Sequence, residues 1–309
     1  MQQTKRLPVG MGSLRLTVLC LAAASVSLPM AWISLAKLGL LLTVLLLAFT
    51  ARSEASQAPA YTRLLSPWLV LASLLLFALS LCWTQVNLAL ASAMLVKHGK
   101  LILLLAFVYA IRNKAEAATV LKAFIWGQLF VLLSSWLLGL GLTLPWVLND
   151  QNSRGTHNVV FSESYLDQSI MMAALAGVLW QLRSTWKWPT ALTLVLALLA
   201  LLNPVVLLEG RTGQVAGFCV LLLALFWALP KPWRTAGMVV VPLLLALVLA
   251  LGSERISSRL AQVYQESVSY AQQGNTDTSS GWRINAWHRS LQAIAQQPVT
   301  GHGVGSFTL

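Results

Sequence analysis

The chain has 309 residues, of which 57% are hydrophobic and only 10% are charged. Soluble domains carry about 25% charged residues, so this composition excludes a water-soluble globular protein. The net charge of +12 is a signal for membrane orientation in so apolar a chain, since the basic residues form no single face for nucleic acid. Cys20, Cys82 and Cys219 lie in apolar runs without metal-ligand spacing, so neither a zinc site nor a disulfide framework is predicted.

Apolar stretches long enough to cross a bilayer as helices fill the first 251 residues. They predict an all-α fold, a polytopic membrane bundle of about nine transmembrane helices. The predicted spans are residues 14–31, 35–50, 64–83, 90–111, 119–141, 165–182, 190–208, 213–229 and 235–251. Lys5 and Arg6 ahead of the first span resemble a signal peptide, but the later spans favour an uncleaved helix. Lys and Arg are denser in the short loops on the side of the N-terminus, which predicts a cytoplasmic N-terminus.

The composition changes after Leu251, where the chain becomes polar and contains no further apolar span. Two amphipathic helices are predicted in this region by apolar residues at helical spacing. The first contains Ile256, Leu260, Val263, Tyr264 and Ser267, and the second runs from Trp282 to Gln296 with Ile284, Trp287, Leu291 and Ile294 on one face. The chain is therefore predicted to comprise a transmembrane bundle over residues 1–251 and an extracytoplasmic helical region over residues 252–309.

Basic residues near the predicted spans are candidate ligands for an anion, because charge at membrane depth is costly and usually functional. The clearest case is Arg211 in "LLEGRTGQVAG", where Gly210 and Gly213 let the backbone come close to a ligand. An arginine offers a planar fork of donors to phosphate oxygens. The alternative is a short loop in which Glu209 and Arg211 neutralise each other.

Three further basic residues are weaker candidates for the same role. Lys97 and Lys100 are predicted at the start of the fourth span on the outer side, with snorkelling to the interface as the alternative. Arg154 lies in the polar loop "NDQNSRGTHNVVFSESYLDQS". The Asp, Glu and His residues of this loop are candidates for proton transfer, and a solvated loop without a catalytic role is the alternative. Their spacing does not fit a metal-binding site. These loop residues are Asp150, His157, Glu163 and Asp167.

The tail contains the string "TSSGWRINAWHRSLQAIAQQPVTGHGVGSF". Arg283 and Trp287 are four residues apart and so share a helical face. The "GHGVGSF" segment differs from a dinucleotide-binding loop because it follows a helix and a proline and not a strand. A backbone turn is therefore predicted for it.

Three segments together resemble the O-antigen ligase and O-antigen polymerase superfamily of bacterial envelope glycosyltransferases. They are "RGTHNVVFSESYLDQSIMMA", "GRTGQVAGF" and the tail string above, in which Ser-Gly-x-Arg begins a helix and a glycine-rich segment follows a proline. The resemblance covers residues 85–309, approximately.

The resemblance implies an inverting, metal-independent glycosyl transfer without a cofactor, on the periplasmic face of the bacterial inner membrane. It implies a donor glycan on undecaprenyl pyrophosphate and, in ligases, a lipid A core sugar as acceptor. A growing glycan in polymerases or a protein hydroxyl in protein O-oligosaccharyltransferases are the alternative acceptors. By the same resemblance Arg211 and Arg283 are the catalytic candidates, and Arg154, Lys100 and Lys97 are weaker pyrophosphate-binding candidates. Cations suit this chemistry because they stabilise the charge that develops on the leaving pyrophosphate.

One departure from the family pattern concerns a histidine. Members of the family carry a His-Asn motif after the glycine-rich segment, followed by further spans, whereas this sequence ends at Leu309. A C-terminally truncated member that lacks the catalytic histidine and is weakly active on its own is therefore expected. A transporter or flippase for a lipid-linked glycan is the alternative from another class, but no paired, interrupted spans occur in two halves of the chain. A non-catalytic membrane subunit is a third alternative.

Overall fold

The computed structural model describes residues 9–50, 65–147, 159–161, 165–208, 211–237, 239–240, 243 and 254–306. Within these ranges every regular element is helical, which confirms the predicted all-α class. The α-helices are α1 (Val9–Ala24), α2 (Met30–Thr50), α3 (Leu65–Leu79), α4 (Leu88–Gly99), α5 (Ile102–Ala110), α6 (Lys114–Gly139), α7 (Tyr165–Leu182), α8 (Thr190–Val206), α9 (Arg211–Ala228), α10 (Glu254–Gln273) and α11 (Ser279–Gln296). Residues 234–237 and 239–240 are also helical.

Four segments of the described chain are long and apolar enough to cross a membrane. They are Met30–Leu47, Leu65–Trp83, Leu88–Ala110 and Lys114–Gly139. Gly12–Ser27, Thr190–Val206 and Thr212–Ala228 are shorter apolar helices. The chain is thus a membrane protein, and the predicted total of nine spans stays a prediction.

The predicted fourth span contains a break that the sequence pattern did not reveal. α4 ends at Gly99, a turn follows in which the Leu101 N–H donates to the His98 carbonyl (3.0 Å), and α5 begins at Ile102. Glycine is a poor helix former, which favours a break at this point. Lys97 and Lys100 therefore lie beside a turn within the apolar segment Leu88–Ala110, whereas they were expected at the start of a span.

The chain divides into two compact units. The first consists of Met1–Arg63 and Ala106–Met238, and the second consists of Leu64–Leu105 and Val239–Leu309. The predicted boundary at residue 251 separates the transmembrane bundle from the extracytoplasmic region. It depends on the position of the membrane, so it stays a prediction.

In the first unit, α1 and α6 run parallel. Near their starts, Arg15 forms an ion pair with Glu116, and near the other end the Ser27 hydroxyl donates to Gln128 Oε1 (2.9 Å). Arg15 is only 4% exposed, and it also donates to the Ala110 carbonyl (2.8 Å). Parallel helices begin on the same side of a membrane. α1 and α6 correspond to the predicted first and fifth spans, which must both begin on the side of the N-terminus.

The core of the first unit is centred on α7. Met172, Leu175 and Leu179 are fully buried in the cluster that α7 forms with α6 and α8. α9 lies along α7 in the parallel direction, with Gly213 against Ser169 and Gly177 against Val220. This course agrees with the predicted sixth and eighth spans.

The second unit contains α10 and α11, which confirm the two helices predicted for the tail. Thr278 caps α11, since its hydroxyl accepts a hydrogen bond from the Gly281 N–H (3.1 Å). The buried carboxylate of Glu266 on α10 accepts one from the Ser280 N–H (3.0 Å). These bonds fix the first turn of α11 on α10.

In the second unit, the glycine-rich segment is hydrogen-bonded to the residues that connect α3 and α4. The Val304 N–H donates to the Ser80 hydroxyl (3.0 Å), and the Thr84 hydroxyl donates to the Val304 carbonyl (2.7 Å). The backbone of Gly301, Gly303 and Gly305 has φ of +62°, +83° and +91°, a conformation that glycine adopts without strain. The segment is a backbone turn, as predicted.

Candidate functional site

The start of α9 is the first part of the candidate site, because Arg211 is the first residue of this helix. Two residues later, Gly213 is buried against the first turn of α7. A Cβ atom at Gly213 would lie 2.7 Å from the backbone carbonyl carbon of Ser169 and closer still to the Ser169 side chain. Only glycine therefore allows the first turn of α9 to rest on α7 in this way.

A side-chain amide connects the same turn to α8, and a second one connects α8 to α6. Gln214 Nε2 donates to the Pro204 carbonyl on α8 (3.1 Å). The neighbouring Asn203 Nδ2 donates to the Ser135 hydroxyl on α6 (3.0 Å). The start of α9 is thus held directly by α7 and α8, and α8 is in turn bonded to α6.

Five uncharged polar residues that are at most 1% exposed surround this contact, and we call them the buried polar cluster. They are Ser134, Ser135, Gln168, Ser169 and Asn203. Gln168 Oε1 accepts a hydrogen bond from the Val160 N–H (2.9 Å), and Ser134 accepts one from Trp146 Nε1 (3.2 Å).

Two atoms of the buried polar cluster have no hydrogen-bond partner in the described part of the chain. They are Gln168 Nε2 and Asn203 Oδ1. A buried polar group without a partner costs about 1–3 kcal/mol. A bundle that keeps such groups next to the start of one helix is typical of a functional region.

The electrostatics at the start of α9 favour an anion. The first turn of a helix has N–H groups without intrahelical partners and carries the positive end of the helix dipole. No acidic residue lies in the first turn of α9. Arg211 adds a full positive charge at this point, so the arrangement suits a phosphate group. The backbone of Arg211 is described, and its side chain lies outside the described part.

Arg283 lies in the second unit, in the second turn of α11. Its side chain is half-buried, and it makes no hydrogen bond or ion pair with any residue that the structure describes. Trp287 lies one turn later on the same face of the helix, as the spacing of four residues predicted, and its side chain is mostly exposed. Because α11 contains no Asp or Glu, the guanidinium of Arg283 keeps its positive charge unopposed on its own helix.

The weaker candidates are only partly described. The side chains of Lys97 and Lys100 are exposed in the second unit, and between them His98 is stacked on Phe77, with ring centroids 4.5 Å apart. Asp167 is exposed in the first turn of α7. The remaining loop candidates lie outside the described residues: Arg154, Asp150, His157, Glu163 and Glu209.

His302 in the glycine-rich segment has a structural position. Its Nδ1 is 3.3 Å from Gln85 Oε1, and its Nε2 is 3.1 Å from the Ala293 carbonyl. Both ring nitrogens therefore have partners within the second unit.

The buried polar cluster is the part of the site that was missed when only charges were considered. Its signal was present, since "LLSSWLL" and "LLNPVV" place uncharged polar residues inside apolar spans. Such residues need hydrogen-bond partners from other helices, but the sequence does not reveal which helices supply them.

Comparison with known proteins gives one match. Residues 192–309 match a family model described as O-antigen ligase. The match contains α9 with Arg211 and α11 with Arg283, and it confirms the resemblance to the O-antigen ligase superfamily. No curated protein and no solved structure matches the chain.

Proposed function

We propose that this protein, whose residues 192–309 match the O-antigen ligase family, is a membrane glycosyltransferase of the ligase type. It transfers a glycan from undecaprenyl pyrophosphate to a lipid A core sugar on the periplasmic face of the inner membrane. The observation that carries the proposal is that one family match contains both candidate arginines, Arg211 at the start of α9 and Arg283 on α11.

The proposed reaction is an inverting displacement at the anomeric carbon of the donor sugar. The bond from this carbon to the pyrophosphate oxygen breaks while the bond to the acceptor hydroxyl oxygen forms. The acceptor hydroxyl releases its proton to solvent water, and the bonding electrons of the broken bond leave with the pyrophosphate, on which negative charge develops. Arg211 and Arg283 stabilise that charge, because arginine stays protonated and can bind two phosphate oxygens at once. The N–H groups at the start of α9 add to the effect of Arg211.

The remaining basic candidates have a secondary part in the proposal. Lys97, Lys100 and Arg154 attract the anionic donor and bind its pyrophosphate more weakly than the two arginines. Residues 252–309 and the start of α9 are placed on the periplasmic side, and the N-terminus is placed in the cytoplasm. Successive spans cross the membrane in alternating directions, so the first and fifth predicted spans must be parallel, as must the sixth and eighth. The parallel pairs α1/α6 and α7/α9 support this order.

The test is complementation of a deletion strain, followed by electrophoresis of the lipopolysaccharide and an in vitro transfer assay in membranes. Arg211→Ala and Arg283→Ala are each expected to lower transfer at least about 100-fold, as for other donors that stabilise a developing charge. Arg211→Lys and Arg283→Lys keep the charge but lose the planar fork of donors, and an intermediate rate is expected.

Matched controls come from arginines at other positions in the same units. Arg289→Ala changes the same helix as Arg283→Ala on a different side. Arg183 is stacked on Trp180 after the end of α7, which is the opposite end of the first unit from Arg211. Both control variants are expected to keep transfer, with immunoblots of the membranes confirming equal protein amounts.

The lipopolysaccharide of the deletion strain identifies the acceptor. Core without an O-chain supports a ligase, whereas a single repeat unit on the core indicates a polymerase. Normal lipopolysaccharide with loss of a protein-linked glycan indicates a protein O-oligosaccharyltransferase. Unchanged transfer in both arginine-to-alanine variants would rule out the catalytic assignment, and retention of the donor on the cytoplasmic side would indicate a flippase.

A further inference from the structure

The outer face of α11 presents an apolar stripe. Trp287, Leu291 and Ile294 recur at helical spacing, and they are 68%, 66% and 58% exposed. Ile284 and Ala295 border the same face and line a shallow depression with Trp287 and Leu291. An amphipathic helix normally buries such a stripe against its own protein, so this stripe requires another explanation.

A different side of α11 is the less exposed one, since Ala286, Ser290 and Ala293 are only partly exposed. Ser280 and Gly281 are buried at the start of the helix, where Glu266 accepts the hydrogen bond from the Ser280 N–H. Near the end of the helix, the Ala293 carbonyl contacts His302. The Ser280 contact is confined to the first turn of the helix, and Ala293 lies on a different side from the stripe. Neither contact therefore covers Trp287, Leu291 or Ile294.

The turn after α11 fixes the level of this helix relative to α3 and α4. Trp83 Nε1 donates to the Thr300 carbonyl (3.0 Å), and the Ser80 and Thr84 bonds to Val304 follow. α3 contains no buried residue, and it belongs to the apolar segment Leu65–Trp83. The next apolar segment begins at Leu88.

The short link between those two segments, residues 84–87, marks a bilayer surface. The link joins the end of one candidate membrane-crossing segment to the start of the next. Consecutive spans are joined outside the hydrocarbon core, so the link lies at the boundary. The end of α11 is hydrogen-bonded to this link through residues 300–306. The C-terminal end of α11 is therefore at the level of the bilayer surface.

The charge and aromatic content of α11 suit that position. The helix contains Arg283, His288 and Arg289 and no acidic residue. Basic residues attract the anionic headgroups of phospholipids, and tryptophan is enriched at the interface between membrane and water.

We propose that α11 is an interfacial membrane helix whose apolar stripe inserts into the bilayer surface at which α3 and α4 are joined. The occupant of the stripe is the phospholipid bilayer itself. The insertion is independent of the glycosyl-transfer proposal. One consequence rests on that proposal: α11 holds Arg283 at headgroup depth, where the pyrophosphate of a lipid-linked donor lies.

Site-directed spin labelling of the whole protein in liposomes tests the insertion. Cys20, Cys82 and Cys219 are replaced by alanine, and single labels are placed at Leu291 and Ile294. Matched control labels are placed at Arg289 and Gln296, which are exposed on the opposite side of the same helix. The liposomes contain phosphatidylethanolamine and phosphatidylglycerol and no glycan donor, so an undecaprenyl chain cannot account for the signal.

Collision of each label with oxygen, which concentrates in lipid, is compared with collision with a water-soluble nickel chelate. The ratio of oxygen to nickel accessibility is expected to be higher at residues 291 and 294 than at residues 289 and 296. Equal nickel accessibility at all four positions would show that the stripe faces water. Immobile labels shielded from both reagents at 291 and 294 would show that protein covers the stripe, and either result overturns the proposal.

The accessibility measurement can be separated from misfolding of a variant and from failure of the glycosyl-transfer proposal. Only labelled proteins with the unfolding temperature of the Cys-free parent are compared. A bimane fluorophore at the same four positions, quenched by brominated lipids, gives a second measurement of depth. Loss of lipid contact with normal transfer activity would overturn the insertion alone, and normal lipid contact with unchanged transfer in Arg283→Ala would overturn the role of Arg283 alone.

Discussion

Gly213 is the position where a single methyl group tests how the start of α9 is held. In Gly213→Ala, the new Cβ would lie 2.7 Å from the Ser169 carbonyl carbon and closer to the Ser169 side chain. Ordinary carbon contacts are about 3.5–4.0 Å, so α9 must move by roughly 1 Å relative to α7. Arg211 lies only two residues away in the same turn and moves with it.

The magnitude follows from two opposing effects on stability and one on geometry. Overpacking costs about 1–3 kcal/mol, while replacing glycine by alanine in a helix returns about 1 kcal/mol. The protein therefore stays folded, since typical stabilities are about 5–15 kcal/mol. A misplacement of about 1 Å lowers a reaction rate by up to about 100-fold, so we expect a large loss of glycan transfer in a folded protein.

The assay is transfer in membranes with equal protein amounts, together with the unfolding temperature in detergent. Gly217→Ala is the matched control, because a Cβ one turn later in α9 would meet only the Leu201 side chain at 3.4 Å. The double variant Gly213→Ala/Ser169→Gly removes the nearest clashing atoms and is expected to recover part of the activity. Wild-type transfer in Gly213→Ala would refute the idea that this close approach positions Arg211.

Two further predictions concern stability. Glu116→Gln leaves the buried Arg15 without its ion-pair partner, so a loss of about 3 kcal/mol is expected; a lower unfolding temperature than in the exposed control Lys114→Gln checks this, and equal temperatures would contradict it. Gly303→Ala places a Cβ 2.5 Å from Thr84 Cα at φ +83° and is expected to detach residues 300–306. Gly274→Ala, at φ +65° with open space, should cost only about 1–2 kcal/mol of backbone strain, and equal proteolysis of the two glycine variants would contradict the prediction.

The sequence was sufficient for the features that depend on local pattern. Hydrophobic length predicted the apolar helices, and periodicity predicted α10 and α11 close to their observed bounds. Motif order predicted a resemblance to the O-antigen ligase superfamily, and the match over residues 192–309 supports that resemblance. These features are local because each depends on spacing within about twenty residues.

The remaining features depend on which helices meet, and spacing within one helix carries no such information. The ion pair of Arg15 with Glu116 joins residues 101 positions apart. Counting charges for topology treats Arg15 as a loop cation, whereas the structure buries it between helices. The hydrogen bond from Asn203 to Ser135 spans 68 positions in the same way. Long-range pairing of this kind is not determined by either sequence segment alone.

The two kinds of polar residue in the first unit have different physical consequences. Arg15 pairs with Glu116 near the starts of α1 and α6 and leaves only its Nε without a described partner, so the pair stabilises packing. Gln168 and Asn203 keep amide atoms that no described residue satisfies, and they surround the one turn of α9 that begins with Arg211. An apolar side chain at either position would avoid the free-energy cost of burying a polar atom without a partner. Buried polar atoms without a described partner occur at the α1/α6 contact as well, at Arg15 Nε and Gln128 Nε2. The proposed role of the start of α9 therefore depends on the charge of Arg211 and the close approach at Gly213, and not on unsatisfied amides alone.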